Sequence, residues 1–317
     1  MLSALTTHPI NAIIHDQTMR NTRSILKPFV KWAGGKGQLL EQLDAMFPTD
    51  FASRDDIVYV EPFIGGAAML FYVLKKYPNI KRAIINDLNR ELVGCYNVIK
   101  SKPDRLISFL RELQEEYRSF KEEEQRKSMY MAMRELYNSR VLDDVGTSVL
   151  FIFLNHTCFN GLYRVNSKGD FNVPFGKAAR PLICDEETLR ADSLALQKVD
   201  ILCTDFENVV PDAGENAFFY FDPPYRPLTQ TSAFTAYSKD GFNDDEQRRL
   251  AKFCRKLDKK GHRWLLSNSD PANANAEDKF FDELFDGFSI SRVNASRMIN
   301  SNASGRGKIT ELAIKNY

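Results

Sequence analysis

A chain of 317 residues, 43% hydrophobic and 27% charged, has the composition of a globular protein built on one large core or on a core with an insertion. That excludes a mostly disordered chain, a collagen-like repeat and a coiled coil. Forty-three Lys and Arg against forty-two Asp and Glu leave a net charge of +1, so a nucleic-acid partner has to be argued from where the charges sit.

In chain order, residues 1–24 lack periodicity and a signal-peptide pattern and read as a loose tail. DIVYVEPF (56–63) reads as a strand running into Ile64-Gly65-Gly66-Ala67-Ala68, and the helical pattern MLFYVLKKY follows. RAIINDLN (82–89) is a second strand, closing on Asp87. Strand, glycine turn, helix and strand open a βαβ unit, so the expected class is α/β with a doubly wound, Rossmann-like sheet. From residue 91 to about 145 the chain is charge-dense and helix-favouring, with nine basic and ten acidic residues between Ser101 and Val145, the balance of solvated helix faces. Phe151 to Arg180 turns to Asn, Gly and aromatics and reads as loop or hairpin with a tip near Gly169-Asp170. AFFYFDPPY (217–225) is a buried strand, and RWLLSNSD, FSISRVNASRM and ITELAIKNY are later strands. The organisation expected is a tail over 1–24, a core made of 25–92 and 185–317, and an insertion over 93–184.

No apolar run approaches the roughly 18 residues of a membrane-spanning helix. The five cysteines and four histidines are scattered, without CxxC or zinc spacing. The chain is therefore expected to be cytoplasmic, reduced and without a metal.

A glycine turn between strand and helix lets backbone approach a ligand, and an acid closing the next strand suits a ribose hydroxyl pair. Asp87 lies 22 residues after Gly65, near the ~20 of that arrangement, although the turn is not GxGxxG. An earlier cluster, Trp32-Ala33-Gly34-Gly35-Lys36, fails as a P-loop, because Val30 and Gly37 stand where Gly and Ser or Thr are required. Two readings of it stand: a cover for a nucleoside-like ligand bearing a carboxylate, or a turn with one buried Trp.

Asp222-Pro223-Pro224-Tyr225 stops an apolar strand, since proline cannot donate to the ladder. Strand C-terminal ends are where open α/β sheets bind ligands. The Asp222 carboxylate and the Pro223 carbonyl can accept both hydrogens of an exocyclic amino group, and Tyr225 offers a face to a flipped base. The bland counterpart is a proline-stopped strand with a capping Asp.

Taken together, PFVKWAGGK, VEPFIGGAAM, INDLN, FLNHTCFNGLYRVNSKGDFNVPFGK, YFDPPYRPL, FTAYSKDGF, LLSNSD and RMINSNASGRGKITEL, in this order, resemble the Dam-type (alpha class) DNA adenine-N6 methyltransferases over Lys27 to Asn316. The resemblance implies S-adenosylmethionine as cofactor, with Trp32 and Lys36 near its amino acid portion and Phe63 and Gly65 around the adenosine. It further implies Asp87 at the ribose, Asp205 and Phe206 beside the adenine, and Asp222 at the junction with the target base. The family pattern often has glycine where this chain has Ala67. By the same resemblance the insertion is a target-recognition domain whose hairpin reads GATC in the major groove. Arg164 would read guanine, Leu162 and Pro174 would meet thymine, and Asn160 and Lys177 would support the backbone or outer base pair. Three local basic excesses fit phosphate contacts, in 23–38, 156–180 and 292–317.

The implied activity is direct methyl transfer to a flipped adenine in duplex DNA by a monomer; whether it accompanies a cognate restriction endonuclease, without a stable complex, or acts alone stays open. Some relatives keep the same GAT-reading residues yet recognise a longer site, so the outer bases stay open. Cytosine N4 or RNA adenine as target, and a silent DNA-binding relative, are the alternatives. Asp at 222 and the intact motifs weigh against them.

Overall fold

The computed structural model describes residues 25–317 except 33, 35, 38, 211–213, 215, 229–241 and 297–307. The tail over 1–24, all of FTAYSKDGF but Phe242, and residues 297–307 of the C-terminal motif thus lie outside the described residues.

A short helix α1 (Leu40–Asp44) precedes β1 (Val58–Glu61), followed by α2 (Ala68–Lys76), β2 (Arg82–Asn86) and α3 (Arg90–Ser101). Helices α4 (Pro103–Ser119), α5 (Glu123–Asn138), α6 (Asp144–Thr157) and α7 (Glu186–Leu196) come before β3 (Val199–Leu202). The chain continues through β4 (Ala217–Phe221), α8 (Asp244–Lys259), β5 (Arg263–Ser269), α9 (Phe280–Leu284), β6 (Ser289–Ser296) and β7 (Lys308–Lys315).

The sheet order is β3-β2-β1-β4-β5-β7-β6, parallel from β3 to β5 and antiparallel at β7 with both its neighbours. The chain winds outward from β1 to β3, then returns to β4 on the other side of β1. That reversal opens a crevice at the C-terminal ends of β1 and β4, where a doubly wound sheet takes its ligand. All five residues of β4 are buried, the continuous apolar run of a strand covered on both faces. The fold is Rossmann-like, as the sequence predicts.

Side chains fix where the helices begin. Asn89, Asp143 and Asp185 each accept an N–H three residues on, starting α3, α6 and α7, and Asn243 accepts from Asp245 and Glu246 to start α8. Each such cap contributes ~1 kcal/mol. Pro103 opens α4, where a missing N–H costs nothing.

One expectation is corrected. Phe151–Thr157 is not loop but the end of α6. Val145 and the run Ser148–Asn155 are buried there, so no polar stripe reveals the helical period. The hairpin begins at Cys158, and it is irregular, with bridges Cys158–Phe175 and Val165–Phe171 instead of a continuous ladder.

Candidate active site and nucleic-acid interface

The turn after β1 is built around Asp87. Its Oδ2 accepts the Gly65 N–H (3.1 Å) and its Oδ1 the Asn89 N–H (2.9 Å). Burial pushes this carboxyl up, and the amides of Asn89 and Gly65 oppose that. Each oxygen keeps a lone pair for a further donor, the need of a vicinal diol. Gly65 has φ +45°, and a Cβ there would come within 2.8 Å of the Trp32 ring, so the indole edge requires the glycine. Trp32 in turn stacks on Tyr163 (5.5 Å between centroids) and Phe151 (6.2 Å). It joins the glycine turn to α6 and the hairpin as well as lining the cavity.

Ala67, the position where the family pattern often has glycine, has φ +60° and is fully buried as the N-cap of α2. A left-handed non-glycine costs ~1–2 kcal/mol. Its buried methyl, worth ~0.8 kcal/mol, offsets part of that.

Phe63 packs against Phe206 (5.3 Å) and edge-on to Phe242 (5.5 Å). Asp205 accepts the Glu207 N–H (3.0 Å) and pairs with Arg249 (2.5 Å), whose guanidinium lies 4.4 Å from the Phe206 ring centroid. Arg249 carries no local sequence signal and was not among the expected site residues.

At the end of β4, Asp222 Oδ1 meets Lys36 Nζ (2.9 Å) and accepts from Ser267 Oγ (3.1 Å). Burial raises the Asp222 carboxyl, and the Lys36 ammonium and the Ser267 hydroxyl counter it. Lys36 also donates to the Gly34 carbonyl (2.9 Å), and its Nζ stands 4.1 Å from the centroid of the Tyr225 ring. The Tyr225 hydroxyl donates to Glu311 Oε2 (2.6 Å) on β7, which anchors the ring from the antiparallel part of the sheet.

A buried amide chain holds the rest of this loop. Gln247 on α8 donates to the Pro224 carbonyl (3.0 Å) and accepts from Asn268 Nδ2 (3.1 Å) on β5, and Asn268 Oδ1 accepts the Arg226 N–H (3.1 Å). Ser269 Oγ donates to the Arg226 carbonyl (2.7 Å). Arg226 is clamped by Asp244 and Asp278 over the Phe280 ring. The carbonyls of Pro224 and Arg226 are thereby occupied, whereas the Pro223 carbonyl accepts from none of the described residues. Asp222 and Pro223 remain as the acceptors that can serve an amino group.

Trp32, Lys36, Phe63, Gly65, Asp87, Asp205, Phe206 and Asp222 through Tyr225 all line one cavity of about 1630 Å³. That exceeds the ~300–1,000 Å³ of a single small-ligand site. It has room for two ligands meeting at Asp222.

The DNA-reading candidates lie apart from this cavity, on the hairpin. Alternation buries Tyr163, Phe171 and Val173 and exposes Leu162, Arg164 and Pro174. The hairpin is fastened from behind by Asn138, which bonds both the N–H and the carbonyl of Phe171, and by the Tyr130 hydroxyl on the Val173 carbonyl (2.7 Å). Arg164 Nε donates to Asn172 Oδ1 (2.7 Å), which aims an exposed guanidinium. Asn160 has φ +56°, and Lys177 (φ +63°) pairs with Glu123 at 3.3 Å. Phe159, not singled out from the sequence, is 51% exposed beside Asn160 and Leu162.

A family model described as D12 class N6 adenine-specific DNA methyltransferase matches residues 32–299, which include the glycine turn, the hairpin and the Asp222 loop. The type II methyltransferase M.MjaIII of Methanocaldococcus jannaschii is 48% identical over 295 residues, 92% of this chain and 99% of that relative. The type II methyltransferase M1.LlaDCHI of Lactococcus lactis subsp. cremoris is 38% identical over 297 residues, 92% and 96% of the two chains. The DNA adenine methylase of Haemophilus influenzae is 33% identical over 287 residues, 90% and 92%. The chain therefore belongs to the D12 class of N6 adenine-specific DNA methyltransferases.

Proposed function

We propose that the protein transfers a methyl group from S-adenosylmethionine to N6 of adenine within GATC in duplex DNA, with the target base turned out of the helix. The observation that carries this reading is the acceptor pair at the end of β4. The Asp222 carboxylate and the Pro223 carbonyl, which accepts from none of the described residues, stand beside an aromatic ring held by Glu311. Accepting both amino hydrogens withdraws the nitrogen's electron density from the ring and aims its lone pair into the cavity. Tyr225 holds the base in plane.

The cavity suits the cofactor. Asp87 would take the ribose hydroxyls, Phe63 and Phe206 would lie beside the adenosine, Asp205 would take the adenine amino group, and Lys36 the carboxylate. When bound, S-adenosylmethionine supplies an electrophilic methyl for direct transfer. The protein contributes position and charge, with no covalent enzyme intermediate.

On the DNA side, residues 93–184 serve as the target-recognition region. Arg164 reads guanine, Leu162 and Pro174 contact thymine, and Asn160 and Lys177 contact the backbone or outer pair. Phe159 is an apolar wedge for the space left by the departing base. The protein acts as a monomer, without a stable complex with a cognate endonuclease. The type II names of two relatives favour the modification half of a restriction–modification pair.

Incubation of unmodified genomic DNA with S-adenosylmethionine, with modified bases mapped by sequencing, tests the reading. N6-methyladenine confined to GATC supports it. Modification of a longer GAT-containing site revises only the outer contacts, and modification of cytosine or of RNA overturns it.

A further inference from the structure

The Lys36 ammonium stands where an amino group on the target base would have to stand. It is 2.9 Å from Asp222 Oδ1 and 4.1 Å from the Tyr225 ring centroid, and the side chain is only 6% exposed. A base that stacks on Tyr225 and bonds to Asp222 puts its own nitrogen about 2.7–3.0 Å from that carboxylate and about 3.5–4 Å above the ring. The two nitrogens compete for one seat. Resting on the reading above, we propose that Lys36 is a placeholder for the target amine, and that the base enters only after the carboxylate of the cofactor draws the ammonium away.

The physical argument is one of partner exchange. Among the described residues Lys36 has two acceptors, Asp222 and the Gly34 carbonyl. Pulling a buried ammonium from its carboxylate without a substitute is strongly unfavourable. A cofactor carboxylate in the same cavity supplies the substitute. Asp222 is then free to accept from the base, which replaces the donor it lost. The stem of Lys36 is four flexible carbons, and Gly34 (φ +79°) and Gly37 flank its short loop. The ammonium can therefore change partners with little movement elsewhere. Lys36 thus does two things: it holds the cofactor, and it keeps the amine seat closed until the cofactor has arrived. Binding becomes ordered, because a ligand shifts such an equilibrium only through its preference for one arrangement.

The test is permanganate oxidation of the thymine opposite the target adenine, in a duplex already methylated on the other strand so that one adenine is the target. That thymine becomes reactive when its partner leaves the stack. With wild-type protein, S-adenosylhomocysteine, which carries the carboxylate, should raise the reactivity at least about tenfold over no cofactor. Saturating 5′-methylthioadenosine, which fills the nucleoside part and lacks the carboxylate, should leave it near the cofactor-free level. Lys36→Met should be reactive without any cofactor. High reactivity in the cofactor-free wild type, or equal effects of the two nucleosides, would overturn the inference, and neither needs the variant to fold. If wild-type protein modifies no duplex adenine at all, the proposed function fails instead.

Discussion

Gln247 is the side chain through which helix α8 fixes the loop that carries Asp222. It is 1% exposed, donates to the Pro224 carbonyl and accepts from Asn268, itself fully buried. Gln247→Leu removes both bonds and leaves Asn268 Nδ2 facing an apolar group. One buried unsatisfied polar group costs ~1–3 kcal/mol. Pro224 is exposed, so water can serve its carbonyl, and the Asn268 donor dominates. We expect a loss of about 2 kcal/mol in unfolding free energy, read from urea denaturation. The functional effect should be larger than the stability loss suggests, because the Pro224 carbonyl direction sets where Pro223 and Tyr225 point. A displacement near 1 Å can slow a positioned reaction by ~100-fold, so single-turnover methyl transfer should fall by about 10- to 100-fold. Cofactor affinity should be unchanged, since Gln247 lies behind the loop. Wild-type transfer in this variant, or stability within about 0.5 kcal/mol of wild type, would refute the argument.

Further outcomes follow from other parts of the molecule. Gly176→Ala puts a Cβ 2.2 Å from the Cys158 carbonyl oxygen, a backbone clash at the base of the hairpin. It should cost at least about 3 kcal/mol or displace the hairpin, lowering GATC binding with cofactor binding intact by calorimetry. Arg164→Ala should lose ~1–3 kcal/mol of discrimination at one base pair, whereas Lys177→Ala should weaken all DNA alike and reduce the salt slope by about 1, both read from binding titrations. Burial raises Asp222, so the folded state holds that proton to a higher pH than the unfolded chain does. The stability this gives is present at low pH and is lost as pH rises through the folded value. Asp222→Asn lacks that loss, and its melting temperature relative to wild type should improve between pH 4 and neutrality. A constant difference would show that Asp222 is not shifted.

The candidate site was legible where its residues are concentrated in short motifs. Gly65, Asp87, Trp32, Lys36 and Asp222–Tyr225 are scattered along the chain, yet each follows a strand or opens a turn, and the sheet winding brings all of them to one cavity. Arg249, Gln247 and Glu311 were not legible. They reach the site across tertiary distance from α8 and β7, in segments whose local pattern is that of an ordinary helix or strand. The C-terminal half of α6 escapes its sequence pattern for a different reason. A helix buried on every side has no polar face, and its Phe-Ile-Phe-Leu run does not differ in periodicity from an apolar loop or strand. At the glycine turn, Gly65 donates to Asp87 and also accommodates Trp32, so packing alone already requires the missing Cβ that the ligand-approach reading also asks for.

The most direct test of the central claim is a single turnover on a GATC duplex with labelled S-adenosylmethionine, comparing wild type with Asp222→Asn and identifying the product base by mass spectrometry. Wild type should yield N6-methyladenine, and Asp222→Asn should bind the same duplex yet yield none. N4-methylcytosine from the wild type, or undiminished transfer by Asp222→Asn, would contradict the assignment of the acceptor pair at the end of β4.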